Sequence, residues 1–196
     1  MKKIIGLTGP SGAGKSTVSA LFSALGAYTV DADRVARSVV ERGKPALLEI
    51  RQAFGEQVML PDKTLNRRAL ANIVFHSPEA LHKLNGITHK YIAEEIKQKI
   101  DTAKAPVAVI DAAVLFESGM DRFCDCVVCV TALRAVRLER IMARDGLSLA
   151  EAQSRIDAQH DDDYYICRSD FHMENDGETS ALAAQAEQII RGVCSE

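Results

Sequence analysis

Apolar residues fall along this chain in two rhythms. Short, nearly unbroken runs occur at Lys3–Leu7, Tyr28–Val30, Val107–Ile110, Cys126–Val130 and Phe171–Met173. Runs of that length without alternation suit strands covered on both faces of a parallel sheet. Between them the apolar positions recur at helical spacing. Val18, Leu21, Phe22 and Leu25 stand at i, i+3, i+4 and i+7, and Leu182, Ala186, Ile189, Ile190 and Val193 share one helix face near the C-terminus. Strand–helix alternation predicts an α/β fold, a parallel five-stranded sheet flanked by helices in three layers. Two stretches break the alternation. Residues from about Val35 to Lys104 carry helical patterns and no convincing strand. Residues from about Leu133 to Cys167 read as two helices, the second opened by the capping box Ser148-Leu149-Ala150-Glu151. The pattern therefore predicts one domain with a core at 1–34, 105–132 and 168–196, a helical insertion at 35–104 that holds an acceptor, and a helical lid at 133–167.

The first apolar run leads into Gly9-Pro10-Ser11-Gly12-Ala13-Gly14-Lys15-Ser16. Two glycines, a lysine and a hydroxyl residue at this spacing form the phosphate-binding loop pattern. The glycines let the backbone wrap a di- or triphosphate, with successive N–H groups turned toward it. Lys15 brings a point charge to the β- and γ-phosphates, and Ser16 a hydroxyl for Mg²⁺. The following helix presents its positive end to the anion. A Gly-rich turn with an accidental lysine is the competing reading. The strand-like run before the loop and the amphipathic stripe after it favour a P-loop NTPase fold.

Ligands of open α/β sheets bind at the C-terminal ends of the strands, where this loop, Asp31 and Asp111 fall. Asp31-Ala32-Asp33 follows the second run. An acid here can take a proton from a hydroxyl nucleophile or hold a magnesium-bound water. Asp33, farther from the strand, can reach a substrate; Asp31 fits a helix cap as well. Asp111 ends an apolar strand and either acts on Mg²⁺ through water or is satisfied by nearby backbone N–H groups. Arg137, Arg140 and Arg144 share a helix face in the lid. Such a face either closes over a transferring phosphoryl group or simply faces solvent.

The rest of the composition narrows the class. The 196 residues, 47% of them hydrophobic, suffice for one α/β domain with insertions. A net charge of −3 speaks against a nucleic-acid binder. Of Cys124, Cys126, Cys129, Cys167 and Cys194, no C-x-x-C pair is followed by a second such pair, which disfavours a zinc site, and free thiols suit a reducing cytoplasm. No apolar run approaches the ~18 residues of a membrane span, and the start of the chain lacks the pattern of a secretory leader. A cytoplasmic protein, monomeric or weakly self-associating, is expected.

Taken in order along the chain, these motifs resemble one family closely, the dephospho-coenzyme A kinases, P-loop enzymes related to nucleoside monophosphate kinases. Asp31-Ala32-Asp33 with Ala36-Arg37, Gly43-x-Pro45-Ala46-Leu47, Phe54-Gly55, Leu65-x-Arg67-Arg68-x-Leu70, Val74-Phe75 and Ile87-Thr88-His89 match the family's segments up to the substrate lobe. Leu115-Phe116-Glu117, Arg140-x-x-x-Arg144, Arg155-Ile156-x-x-Gln159 and Asn175-x-Gly177 continue the match. The resemblance implies that ATP phosphorylates the ribose 3′-hydroxyl of dephospho-coenzyme A. It implies that Gly12, Ala13, Gly14, Lys15, Ser16 and Thr17 hold the triphosphate with Mg²⁺ at Ser16 and Asp111. It further implies Asp33 as the base or hydroxyl-orienting acid, Arg140 and Arg144 at the phosphates, Asn175 and Gly177 near the adenine, and Arg68, His89 and Leu115 toward the acceptor. Departures include Pro10-Ser11 in the loop, Arg137 where glutamine is common, and the acidic run His160-Asp161-Asp162-Asp163, which repels a triphosphate unless it faces solvent. Two other readings share parts of this pattern. A P-loop kinase for another small hydroxyl or nucleotide acceptor shares the core and differs in the first insertion. A regulatory nucleotide switch is disfavoured, because the chain has no Asn-Lys-x-Asp string and Asp111 is followed by Ala-Ala-Val.

Overall fold

All five predicted runs are strands, and each continues one residue further: β1 (Lys3–Thr8), β2 (Tyr28–Asp31), β3 (Val107–Asp111), β4 (Cys126–Thr131) and β5 (Phe171–Glu174). The added residue is polar in every case, so hydrophobic patterning stops short of it while the backbone ladder does not. The structure, a computed structural model, describes residues 2–177 and 179–195. The strands pair in parallel in the order β2-β3-β1-β4-β5. With β1 in the centre, the strand order turns about it, and a crevice opens over its C-terminal end.

The chain divides into two compact units, Met1–Asp31 with Ala103–Glu196, and Ala32–Thr102. In the first, side chains alternate across the sheet. Ile5, Leu7, Val107, Val109, Val128, Val130 and Met173 meet Val18 and Phe22 of α1 (Lys15–Ala24) and Leu182, Ala186, Ile189 and Val193 of α9 (Thr179–Ser195). Both predicted helical stripes are thus core-facing except at Leu25, which is exposed just past the end of α1. The opposite face is covered by the segment after β3. A β-carbon on Gly6 would lie 2.8 Å from Leu115 Cδ2 and 2.9 Å from Cys124 Sγ, so only glycine allows this approach. Burial there pushes the Cys124 thiol up to about 12, with the nearby Cys126 a lesser cause. No disulfide bond joins any of the cysteines among the described residues.

The region predicted as two lid helices holds three, α6 (Arg134–Asp145), α7 (Leu149–Asp157) and α8 (Asp162–Ile166). The predicted capping box opens α7, with Ser148 and Glu151 serving each other's backbone N–H. Sequence patterning missed α8 because it lies in the acidic run, which reads as solvated chain. Its stability is local: Asp161 Oδ1 accepts the Tyr164 N–H at 2.9 Å, and Asp162 and Asp163 sit in its first turn, where the helix dipole favours negative charge.

The second unit is helical, as the pattern predicts: α2 (Ala32–Ser38), α3 (Pro45–Phe54), α4 (Arg67–Phe75) and α5 (Pro78–Thr102). The long α5 packs against the other three and contributes Ile92, Ile96 and Ile100 to the buried residues, one apolar stripe at a spacing of four. A cleft of about 680 Å³ lies in this unit, with Leu47, Leu48, Met59 and Leu60 in its walls and Arg42 and Lys63 among its cations. No helix among the described residues is long and apolar enough to cross a membrane.

Candidate active site

The chain leaves β1 at Thr8 and enters α1 at Lys15, so the glycine-rich loop spans the C-terminal edge of the central strand. Gly14 is the N-cap of α1 and has φ 93°, a conformation glycine reaches at little cost. A β-carbon there would also collide with the side-chain amide of Asn175. Gly14→Ala is therefore expected to cost about 1–3 kcal/mol in backbone strain alone. At roughly 2–4 °C per kcal/mol for a chain of this size, thermal melting should drop by several degrees. A nucleotide titration of the same variant should show ATP binding weakened by about tenfold or more.

The loop's amides divide into two groups. The Ala13 N–H is taken by the Pro10 carbonyl at 3.2 Å, and the Ser11 N–H by Gln159 Oε1 at 3.0 Å. Those of Gly12, Gly14, Lys15 and Ser16 have no hydrogen-bonding partner among the described residues. Four amides in a short arc, two of them in the first turn of a helix, form a cradle for an anion. Ser16 and Thr17 are exposed at its edge.

Lys15 Nζ forms a close ion pair with Asp111 Oδ1. Strand register explains the meeting. Asp111 pairs with Leu7 on one side and with Asp31 on the other, which puts its carboxylate beside the root of the loop. Both side chains are mostly buried, with 19% and 12% exposure, so the cation has an internal counter-charge before any phosphate arrives. The sequence offers water-bridged magnesium or backbone N–H groups as partners for Asp111; the structure adds the loop lysine. Asp31 is exposed at the end of β2. Asp33 is half-buried in the first turn of α2.

The three lid arginines do not behave as one face. Arg140 lies against the loop's outer side, with Nη1 donating to the carbonyls of Gly12 and Ala13 at 3.3 and 3.4 Å. Its Nη2 donates to the Asn175 carbonyl at 3.1 Å. Asn175, itself buried, donates Nδ2 to the Ala13 carbonyl at 2.8 Å. Arg140 and Asn175 thus brace the carbonyl of the Ala13–Gly14 peptide, whose N–H belongs to the cradle. Arg144 is exposed and forked onto Asp145, both bonds at 2.8 Å. That hydrogen-bonded arginine, with the charge of Arg155 added, holds the Asp145 carboxyl down to about 2. Arg137 is buried; sequence reasoning put it on the lid face without finding its role. Gln159 and Asp162, which meet it, were likewise not singled out as site residues.

Of the acceptor-side residues, Arg68 is exposed in the first turn of α4 and His89 is half-buried on α5. Neither lines the cleft in the helical unit. Leu115 is fully buried beneath Gly6, so its side chain packs the core and offers no surface to a substrate. Gly177 is exposed after β5.

A family model described as dephospho-CoA kinase matches residues 3–181. The dephospho-CoA kinase of Anaeromyxobacter dehalogenans is 44% identical over 96% of this chain and 90% of its own length. Among solved structures, TT1252 from Thermus thermophilus superposes with a TM-score of 0.83 at 31% identity, covering 97% of both chains. The dephospho-CoA kinase from Campylobacter jejuni does so with a TM-score of 0.68 at 27% identity, covering 98% of both.

Proposed function

Because the chain belongs to the dephospho-CoA kinase family, we propose that it moves the γ-phosphoryl group of ATP onto the ribose 3′-hydroxyl of dephospho-coenzyme A, giving coenzyme A and ADP. The family match over residues 3–181 carries this reading. The amide cradle and Lys15 are consistent with it, since phosphoryl transfer asks a protein mainly for positioning and charge stabilisation.

In this mechanism the amides of Gly12, Gly14, Lys15 and Ser16 bind the phosphate chain. Lys15 exchanges Asp111 for the β- and γ-phosphate oxygens and stabilises the charge that spreads over them during transfer. Arg140 and Asn175 keep the loop peptides aligned from behind, Arg140 and Arg144 bring positive charge from the lid, and Gly177 lies by the adenine. Asp33 accepts the proton of the attacking hydroxyl or orients it. Arg68 and His89 bind the acceptor. The Ser16 hydroxyl and Asp111 carboxylate are hard oxygen donors of the kind Mg²⁺ takes alongside phosphates and water. These two would hold the ion jointly with the nucleotide. Bound there, Mg²⁺ neutralises phosphate charge. The protein works in the cytoplasm as a monomer or weak homo-oligomer.

Regiochemistry tests the reading. With ATP and Mg²⁺, dephospho-coenzyme A should gain one phosphomonoester at the 3′ position, visible by phosphorus NMR, and its 3′-deoxy analogue should gain none. Phosphorylation of the 3′-deoxy analogue at a comparable rate would overturn it.

A further inference from the structure

The phosphate loop is gripped from the outside by a buried arginine. Arg137 of α6 is only 4% exposed. Its Nε donates to the Ser11 carbonyl at 3.0 Å, its Nη1 to Asp162 Oδ1 at 3.1 Å, and its Nη2 to Gln159 Oε1 at 3.4 Å. The same Gln159 oxygen accepts the Ser11 N–H at 3.0 Å. Both polar backbone groups of Ser11 are therefore committed to the lid segment. The α6 backbone also presses on the next residue, since a β-carbon at Gly12 would lie 2.7 Å from the Arg137 carbonyl oxygen.

A guanidinium this buried needs a counter-charge, and the Arg137 pKa is lowered chiefly by burial, with Asp162 opposing that shift. Asp162, 42% exposed at its side chain, is the anion on hand. The acidic run thereby acquires a purpose: one of its carboxylates neutralises the arginine behind the loop, and another, Asp161, caps α8. Each of these two carboxylates accepts a hydrogen bond within the lid segment rather than standing as an unpaired charge toward a triphosphate.

We infer that Arg137, Gln159 and Asp162 are positioning residues that fix the Ser11–Gly12 peptide and so set the shape of the amide cradle. Nucleotide affinity then depends on an ion pair on the loop's outer side. This rests on the loop being the ATP site, and the test separates the two ideas by measuring ATP binding directly. Asp162→Asn keeps shape and removes the counter-charge at a half-exposed position, so it should fold normally. Arg137→Gln cannot span three acceptors. The dissociation constant for ATP should rise about tenfold or more in Arg137→Gln and about threefold in Asp162→Asn, and the double variant should be no worse than Arg137→Gln alone. At saturating ATP, kcat should stay within about threefold of the parent, and the KM for dephospho-coenzyme A should not move, which a general loss of structure would not reproduce. If Arg137→Gln does not fold, Asp162→Asn decides alone. An ATP affinity unchanged within twofold in the folded variants, or losses that multiply in the double variant, overturns the inference while leaving the ATP site intact. No ATP binding by the parent protein overturns both.

Discussion

Lys15→Ala is expected to lower kcat/KM for ATP by at least about a hundredfold. Two effects combine. The variant loses the cation proposed to meet the β- and γ-phosphates, and a single preorganised group stabilising developing charge contributes about 2.7–4 kcal/mol, or 10²–10³ in rate. It also strips Asp111 of its ion-pair partner. That carboxylate, 12% exposed beside the cradle, then faces the incoming phosphates with its charge unneutralised. Steady-state kinetics with varied ATP, at saturating dephospho-coenzyme A, gives the number. A loss smaller than tenfold would mean that the amides alone carry phosphate recognition.

Asp33→Asn is expected to reduce kcat by at least about a hundredfold with ATP affinity within twofold of the parent. Asparagine keeps the size and much of the hydrogen bonding of aspartate but cannot take a proton, and a positioned general base contributes about 10²–10⁴ in rate. Asp33 lies in the first turn of α2, two residues beyond the end of β2, and outside the phosphate loop. Its loss should therefore appear in turnover rather than nucleotide binding. Separate titration of ATP and measurement of kcat make the distinction, and near-normal turnover would remove Asp33 from the catalytic role.

How much of this could be read from the chain depends on which force fixes each part. The strands were legible because both faces of the sheet are buried, which forces near-continuous apolar runs such as Val107–Ile110. Their last residues were not, because Thr8, Asp31, Asp111, Thr131 and Glu174 extend the ladder through backbone pairing that side-chain polarity does not report. The glycine spacing and Lys15 were legible because a phosphate loop is specified locally. The partner of Lys15 was not, because Asp111 reaches it through strand register across 96 residues. Arg137 was the hardest residue to read. Arginine on an amphipathic helix is ordinarily solvent-facing, and only the approach of Ser11, Gln159 and Asp162 makes burial tolerable here. Helix α8 was hidden in the same way, its aspartates serving as cap and counter-charge where a charge run suggests solvated chain.

These placements share one requirement, that the loop between β1 and α1 grips a triphosphate for attack by an acceptor hydroxyl. ADP release, followed in a coupled assay with and without dephospho-coenzyme A, tests it most directly. The account predicts rapid ADP formation only when the acceptor is present, one ADP for each coenzyme A produced. An equal rate of ADP release without the acceptor, or none with it, would contradict it.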